Sequence, residues 1–230
     1  MRIKTAMLAA LGVVLFSTLA YAHGVTGKDA AYIETVRGAA IGPFLYLGAK
    51  HMVTGYDHML FLVGVVFFLR NFSDIIKYVT LFTVGHSITL LLGVFAGIRV
   101  NPFLIDAIIG LSVAYIAFVN MGGFRHVFGF EPNNKLSVLV FGLFHGFGLA
   151  TKVQEFNLVP EGLIANILSF NIGIELGQFA GLAFVLLALT MWRMQPSFMR
   201  HAFAANTLLM ASGFLLAGLQ LSGYFLALDG

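Results

Sequence analysis

Residues 50–69 read KHMVTGYDHMLFLVGVVFFL, a run that is apolar over most of its length and carries ionisable side chains in its first half. An α-helix rises about 1.5 Å per residue, so crossing a hydrocarbon core of about 30 Å requires about 20 residues. The run has that length, and we interpret it as a membrane-spanning helix. Its His51, Asp57 and His58 would then lie inside the membrane, where ionisable groups are rare and usually functional.

Similar apolar runs fill the rest of the chain. Of the 230 residues, 59% are apolar and 10% are charged, whereas a soluble domain has about 45–50% apolar and about 25% charged residues. This composition excludes a soluble globule, and it excludes a disordered chain, which needs low hydrophobicity. We predict an all-α, polytopic membrane bundle in one domain, residues 23–230. The stretch 31–49, which Gly42-Pro43 interrupts, is predicted to be a surface or re-entrant helix. The six predicted spans are residues 50–69, 75–98, 102–123, 136–151, 162–192 and 201–228.

The N-terminus has the pattern of a secretory signal. Arg2 and Lys4 precede an apolar stretch at residues 7–19, and small residues flank a tyrosine just before a cleavage point after Ala22. We therefore predict a cleavable signal peptide at residues 1–22. The alternative is an uncleaved first helix.

Cleavage would make His23 the first residue, on the periplasmic side of a bacterial inner membrane. Six spans would return the C-terminus to the same side. Cytoplasmic loops carry an excess of Lys and Arg, and the predicted loops follow that rule. The inner loops contain Arg70, Lys77, Arg125, Lys135, Arg193 and Arg200, and the outer loops contain Arg99 and Lys152.

Polar side chains inside the spans suggest a metal site. An ionisable group in the hydrocarbon costs roughly 2.5–3.5 kcal/mol on insertion scales, so such groups usually face a cavity or each other. Imidazoles and carboxylates without sulfur suit a divalent ion of the nickel or cobalt type, although zinc and copper(II) bind similar ligands. A proton path is the main alternative. The predicted ligands are His51, Asp57, His58, His86, His145 and Glu175. The residues predicted to hold these ligands or to line the path are His23, Thr54, Asp106, Asn171 and Gln178.

Spacing refines this prediction. His51 and His58 would lie about 10.5 Å apart along a straight helix, too far for one ion with bonds of about 2.1 Å to nitrogen. Either Gly55 breaks the helix, or His51 captures the ion ahead of a deeper site. Thr54 lies one turn before His58 and could orient the ring of that histidine. Asp106 could form an ion pair with Arg99 as an alternative to supporting the metal ligands.

The fifth span has two distinct faces. At about 100° per residue, its polar residues fall in a sector of about 60°, opposite a ridge formed by Gly173, Gly177 and Gly181. Such a ridge lets another helix pack closely. We therefore predict one packing face and one polar face lining a cavity, the latter carrying Asn171, Glu175 and Gln178.

Several classes of function are excluded or disfavoured. The chain has no cysteine, which excludes disulfides, thiolate metal sites and iron–sulfur clusters. Its net charge of +3 is small and scattered, so no nucleic-acid partner is expected. Neither the HExxH nor the GxSxG pattern occurs. We expect no catalytic residues and no permanently bound cofactor; the expected partners are the lipid bilayer and a divalent metal ion.

Four ordered motifs resemble those of the HupE/UreJ family of hydrogenase- and urease-associated membrane proteins, in a divergent branch. They are His51-Met-Val-Thr-Gly-Tyr-Asp57-His58, Phe82-Thr-Val-Gly-His86-Ser87, Phe141-Gly-Leu-Phe-His145-Gly146 and Phe170-Asn171-Ile-Gly-Ile-Glu175-Leu-Gly-Gln178. The resemblance implies a signal peptide, about six helices, nickel or cobalt transport and an indirect link to hydrogenase or urease maturation. In one branch of the family a proline follows the first histidine, whereas this chain has Met52 there. That branch also has a second histidine soon after the one that corresponds to His145, and this chain has none in that region.

The combined expectation is a permease of the inner membrane that carries Ni²⁺ or Co²⁺ through a His/Asp/Glu cavity near the middle of the bilayer. Two alternatives belong to other classes. One is a membrane-embedded metalloenzyme, whose mark would be a closed site beside a substrate pocket. The other is a metal-binding accessory protein without flux. A proton-coupled carrier of another solute is a further option.

Overall fold

A computed structural model describes residues 36–154 and 161–228, so the predicted signal peptide and His23 lie outside the described residues. The described part contains helices and no strand, which confirms the all-α class. The described helices are α1 (Ile41–Thr54), α2 (Tyr56–Val66), α3 (Phe72–Ala96), α4 (Pro102–Asn120), α5 (Gly123–Phe128), α6 (Asn134–Val153), α7 (Leu163–Arg193) and α8 (Phe198–Leu228). Five of these described helices, α3, α4, α6, α7 and α8, are long and apolar enough to cross a membrane, and their bounds lie close to five of the predicted spans.

The first predicted span, residues 50–69, is wrong as one continuous helix, and the alternative of a break at Gly55 is confirmed. α1 begins well before residue 50 and ends at Gly55, which is extended (φ −73°, ψ 97°) and separates α1 from α2. Pro43 lies in the first turn of α1, where a missing N–H is tolerated; residues 41–49 therefore belong to this element and do not form a separate surface helix. With 14 and 11 residues, α1 and α2 together rise roughly 38 Å.

α1 and α2 together follow α7 along its whole length. At one end, the Ala40 N–H donates to Asn166 Oδ1 at 2.7 Å. At the other end, the Arg193 guanidinium donates to carbonyls at the end of α2 and just after it, including that of Leu69 at 2.9 Å. We call the first end the Lys152 end, after the last turn of α6, and the second the Arg193 end. The two short helices thus lie end to end beside α7.

Glycines allow the helices to pack in close pairs: α1 with α7, α3 with α6, and α4 with α8. A Cβ on Gly173 of α7 would overlap the carbonyl oxygen of Leu45 in α1, and one on Gly142 of α6 would overlap the carbonyl oxygen of Phe82 in α3. Gly177 and Gly181 likewise face Ala49 and Met59, which confirms the packing face predicted for α7. This close pairing sets the positions of the polar side chains described next.

Candidate metal centre

The break at Gly55 brings ionisable side chains of α1 and α2 to one place. His51 lies in the last turn of α1, and Asp57 and His58 lie in the first turn of α2. The Gly55 N–H donates to the His51 carbonyl at 2.8 Å, and the Gly55 carbonyl accepts from Met59 at 3.1 Å. The break therefore leaves the glycine backbone bonded while it turns the chain. Broken helices inside a membrane commonly line binding sites for ions.

Asp57, His58 and His145 form a compact group that we call the metal-ligand group. His58 Nδ1 lies 3.1 Å from Asp57 Oδ1, and one potential ligand atom from each of the three residues lies within 4.8 Å of the others. The three residues are 1%, 2% and 1% exposed. In the described ranges, this is the one set of three or more His, Asp or Glu residues that meets that distance.

The ring of His145 has a defined orientation. Its Nδ1 lies 2.7 Å from the carbonyl oxygen of Phe141, one turn earlier in α6. A carbonyl only accepts, so Nδ1 carries the proton, and Nε2 of the neutral ring carries the lone pair. Metal-binding histidines usually donate their other N–H to a carbonyl or carboxylate in this way. His145 is therefore oriented as a ligand that binds through Nε2.

Two further imidazoles surround His58. The ring centre of His58 lies 5.5 Å from that of His51, 5.8 Å from that of His86 and 4.9 Å from that of His145. His86 is 1% exposed, and neither of its ring nitrogens has a hydrogen-bond partner within the described part of the chain. Buried polar atoms without a partner are uncommon and usually have a functional reason.

Side chains of α7 are hydrogen-bonded to α3 on either side of His86. Thr83 Oγ1 donates to Gln178 Oε1 at 2.8 Å, and Asn171 Nδ2 donates to Ser87 Oγ at 3.0 Å. These bonds hold the polar face of α7 against α3, beside His86.

Glu175 lies on α7 between Asn171 and Gln178, but the structure does not bring it into the metal-ligand group. Its side chain is half-buried. His51 and His86 also lie outside the group as defined by the 4.8 Å distance, although their rings neighbour His58. The roles of Glu175, His51 and His86 as ligands remain predictions.

Two of the predicted supporting residues have other partners. Thr54 is exposed and its hydroxyl donates to the Lys50 carbonyl at 2.8 Å, so the prediction that it orients His58 is wrong. Asp106 Oδ2 lies 2.8 Å from Lys152 Nζ. This ion pair replaces both the predicted contact with the ligands and the alternative pairing with Arg99, because α4 packs beside the last turns of α6.

A wall of phenylalanines borders the metal-ligand group towards the Arg193 end. The His145 ring centre lies 5.4 Å from that of Phe61 and 5.0 Å from that of Phe82. Phe61 lies 5.3 Å from Phe82 and 5.9 Å from Phe141. Phe61 and Phe82 are 0% and 1% exposed, so buried apolar rings form this side of the site.

Sequence reasoning missed three contributors to the site. Nothing in the spacing of Phe61 and Phe82 distinguishes a wall beside a metal site from ordinary core. Thr83 carried a usable signal, because it lies one turn before His86 and its hydroxyl faces the same side of α3.

Comparison with known proteins yields one family. Residues 27–228, which are most of the chain, match the family described as HupE / UreJ protein. No curated protein and no solved structure matches the chain.

Proposed function

This chain belongs to the HupE/UreJ family, and on that premise we propose that it is a permease for a divalent transition-metal ion. Membership suggests transport of nickel or cobalt, or an accessory role in their handling. Within that range we propose Ni²⁺ as the main cargo and Co²⁺ as a second. We further propose that the protein lies in a bacterial inner membrane with both mature termini on the periplasmic side.

The observation that carries the proposal is the metal-ligand group of Asp57, His58 and His145, buried between helices that are long and apolar enough for a bilayer. Ionisable side chains inside a membrane are costly, and where several of them converge they usually mark a functional site. Nitrogen and oxygen donors without sulfur suit Ni²⁺ and Co²⁺. One carboxylate also lowers the charge that the bound dication brings into the membrane.

The arrangement supports passage better than permanent storage. The ligands come from α2 and α6, and α2 is joined to α1 only through Gly55. A site that must release its ion benefits from ligands that can separate, since overly tight binding prevents conduction. We propose that His51, and His23 once the signal peptide is removed, capture the ion first. Asn171, Glu175 and Gln178 are proposed to line the route.

The membrane potential can supply the energy. Moving one charge across 100 mV is worth about 2.3 kcal/mol, so a divalent cation gains about 4.6 kcal/mol on entering an inside-negative cell. The sequence contains no ATP-binding motif, which agrees with such a mechanism. The imported ion would then be available for hydrogenase or urease maturation.

Flux of radioactive Ni²⁺ into proteoliposomes tests the proposal, with the unaltered protein, His58→Ala and His126→Ala. His126 is an exposed residue of α5 outside the site, so its variant controls for loss of an imidazole as such. We expect uptake by the unaltered protein and by His126→Ala, and uptake at the level of empty liposomes for His58→Ala. Equal uptake by all three would reject the proposal. Stoichiometric binding without flux would instead indicate the accessory role.

A further inference from the structure

We propose that the ion occupies two successive positions that share His58. The first position is formed by His51, His58 and His86, and the second by Asp57, His58 and His145. The ion passes from the first to the second by exchanging ligands while it stays bound to His58. This inference rests on the proposed function and assigns different tasks to His86 and His145.

Ring spacing supports a shared ligand. Two imidazoles on one ion, each with a metal–nitrogen bond of about 2.1 Å, have ring centres roughly 4.6–5.6 Å apart. The His58–His145 and His58–His51 distances of 4.9 and 5.5 Å fall in that range, and the His58–His86 distance of 5.8 Å lies just outside it. His58 is therefore within reach of an ion shared with each neighbour after small ring movements.

The two positions are distinct because their ligand atoms differ in how closely they already approach one another. The second position has its ligand atoms within 4.8 Å of one another, and neither His51 nor His86 belongs to a described set of three or more residues that meets this distance. His86 instead has two buried ring nitrogens without a partner among the described residues. Its helix cannot shift easily, because a Cβ on Gly146 would overlap the His86 carbonyl oxygen. A passing ion would give the ring of His86 a partner, which it lacks among the described residues.

Position along the span gives the order. His51 precedes the break at Gly55, on the side of the Lys152 end. The ring of His145 lies against Phe61 and Phe82, which border the site towards the Arg193 end. An ion moving from the Lys152 end therefore meets His51 before His145, and His145 lies against the phenylalanine wall.

Gly55 leaves room for the exchange. A Cβ at this residue would lie 3.0 Å from His58 Nδ1 and 3.3 Å from Asp57 Oδ1, so glycine leaves these two side chains space to move. The positions are filled alternately, because two divalent cations this close would repel each other strongly and Asp57 is the one carboxylate in either set. His58 then acts as the ligand that stays bound throughout.

Comparing equilibrium binding with flux in one set of variants tests the inference. Co²⁺ is the probe, because its visible absorption reports its ligands; the full-length protein is used in detergent for binding and in liposomes for flux. We expect His145→Ala to weaken Co²⁺ binding by at least about tenfold and to change the spectrum. We expect His86→Ala to weaken Co²⁺ binding less than His145→Ala does, while flux falls by at least about tenfold. His86→Gln, which keeps a polar side chain, should behave in the same way, and His126→Ala should match the unaltered protein.

The outcomes separate this inference from the function on which it rests. Flux by the unaltered protein together with full flux by both His86 variants would overturn the two positions and leave the permease intact. Binding lost equally in His86→Ala and His145→Ala would show one site that contains both rings, and would overturn the inference as well. If the unaltered protein shows no flux, both the proposed permease function and the two successive positions are rejected.

Discussion

The ion pair of Asp106 and Lys152 provides the sharpest prediction about stability. The two side chains are 6% and 13% exposed, and the Lys152 Nζ–Asp106 Oδ2 distance is 2.8 Å. At an effective dielectric constant of about 20, this distance corresponds to a gross attraction of about 6 kcal/mol, much of which offsets the cost of burial. Lys152→Met leaves the carboxylate buried, with Oδ1 already lacking a partner in the described ranges. We expect it to lower the free energy of unfolding by about 3–5 kcal/mol.

A second substitution separates loss of the pair from loss of packing. Asp106→Asn in the Lys152→Met background removes the uncompensated charge, so most of the lost stability should return. Lys77→Met is the matched control, because Lys77 also pairs with an aspartate, at 3.1 Å from Asp74, but with side chains that are 54% and 38% exposed. Exposed pairs contribute little, and we expect no measurable change for this control.

Unfolding in detergent micelles by added SDS is a suitable assay. Trp192 is the single tryptophan, and its ring centre lies 5.9 Å from that of Phe67 and 5.0 Å from that of Phe198, so its fluorescence reports packing at the Arg193 end. The ion pair lies at the opposite end, so the reporter itself is not altered. If Lys152→Met unfolds with the unaltered midpoint, or the double variant is no more stable than Lys152→Met, the reasoning about a buried charge is refuted.

Three further substitutions test other parts of the structure. Gly173→Ala would force its Cβ onto the Leu45 carbonyl, and SDS unfolding should show a loss of about 1–3 kcal/mol; an unchanged midpoint would contradict the close packing of α1 and α7. Arg193→Gln removes the guanidinium that bonds the carbonyls after α2, and the same assay should show a loss of about 1.5–3 kcal/mol, whereas exposed Arg200→Gln should show none. Gly55→Ala keeps an allowed backbone but crowds His58, so Co²⁺ titration should show at least about tenfold weaker binding with little change in stability; unaltered binding would argue against a role for this glycine.

The fold class and most helix positions follow from the sequence, because apolar runs of sufficient length leave few alternatives to membrane helices. The first span shows the limit of that reasoning. Gly42-Pro43 was taken as an interruption, yet a proline in the first turn favours a helix start. Only the contact of α1 with α7, through Gly173 and Gly177, establishes that residues 41–49 belong to the span.

The site was predictable in composition and less so in geometry. His58, Asp57 and His145 were expected because ionisable groups inside a membrane are costly. Which of them converge depends on how α2 meets α6, and periodicity within one helix carries no information about that contact. Lys152 was missed as the partner of Asp106 for the same reason, since the two residues are distant in the sequence and meet only when α4 packs against α6.

X-ray absorption by nickel bound to the purified protein, compared with His58→Ala, tests the central claim most directly. The account predicts that the unaltered protein retains one Ni²⁺ with imidazole nitrogen and carboxylate oxygen ligands, and that His58→Ala loses this signature. Nickel that is not retained, or a spectrum that His58→Ala leaves unchanged, would contradict the claim that Asp57, His58 and His145 hold the transported ion.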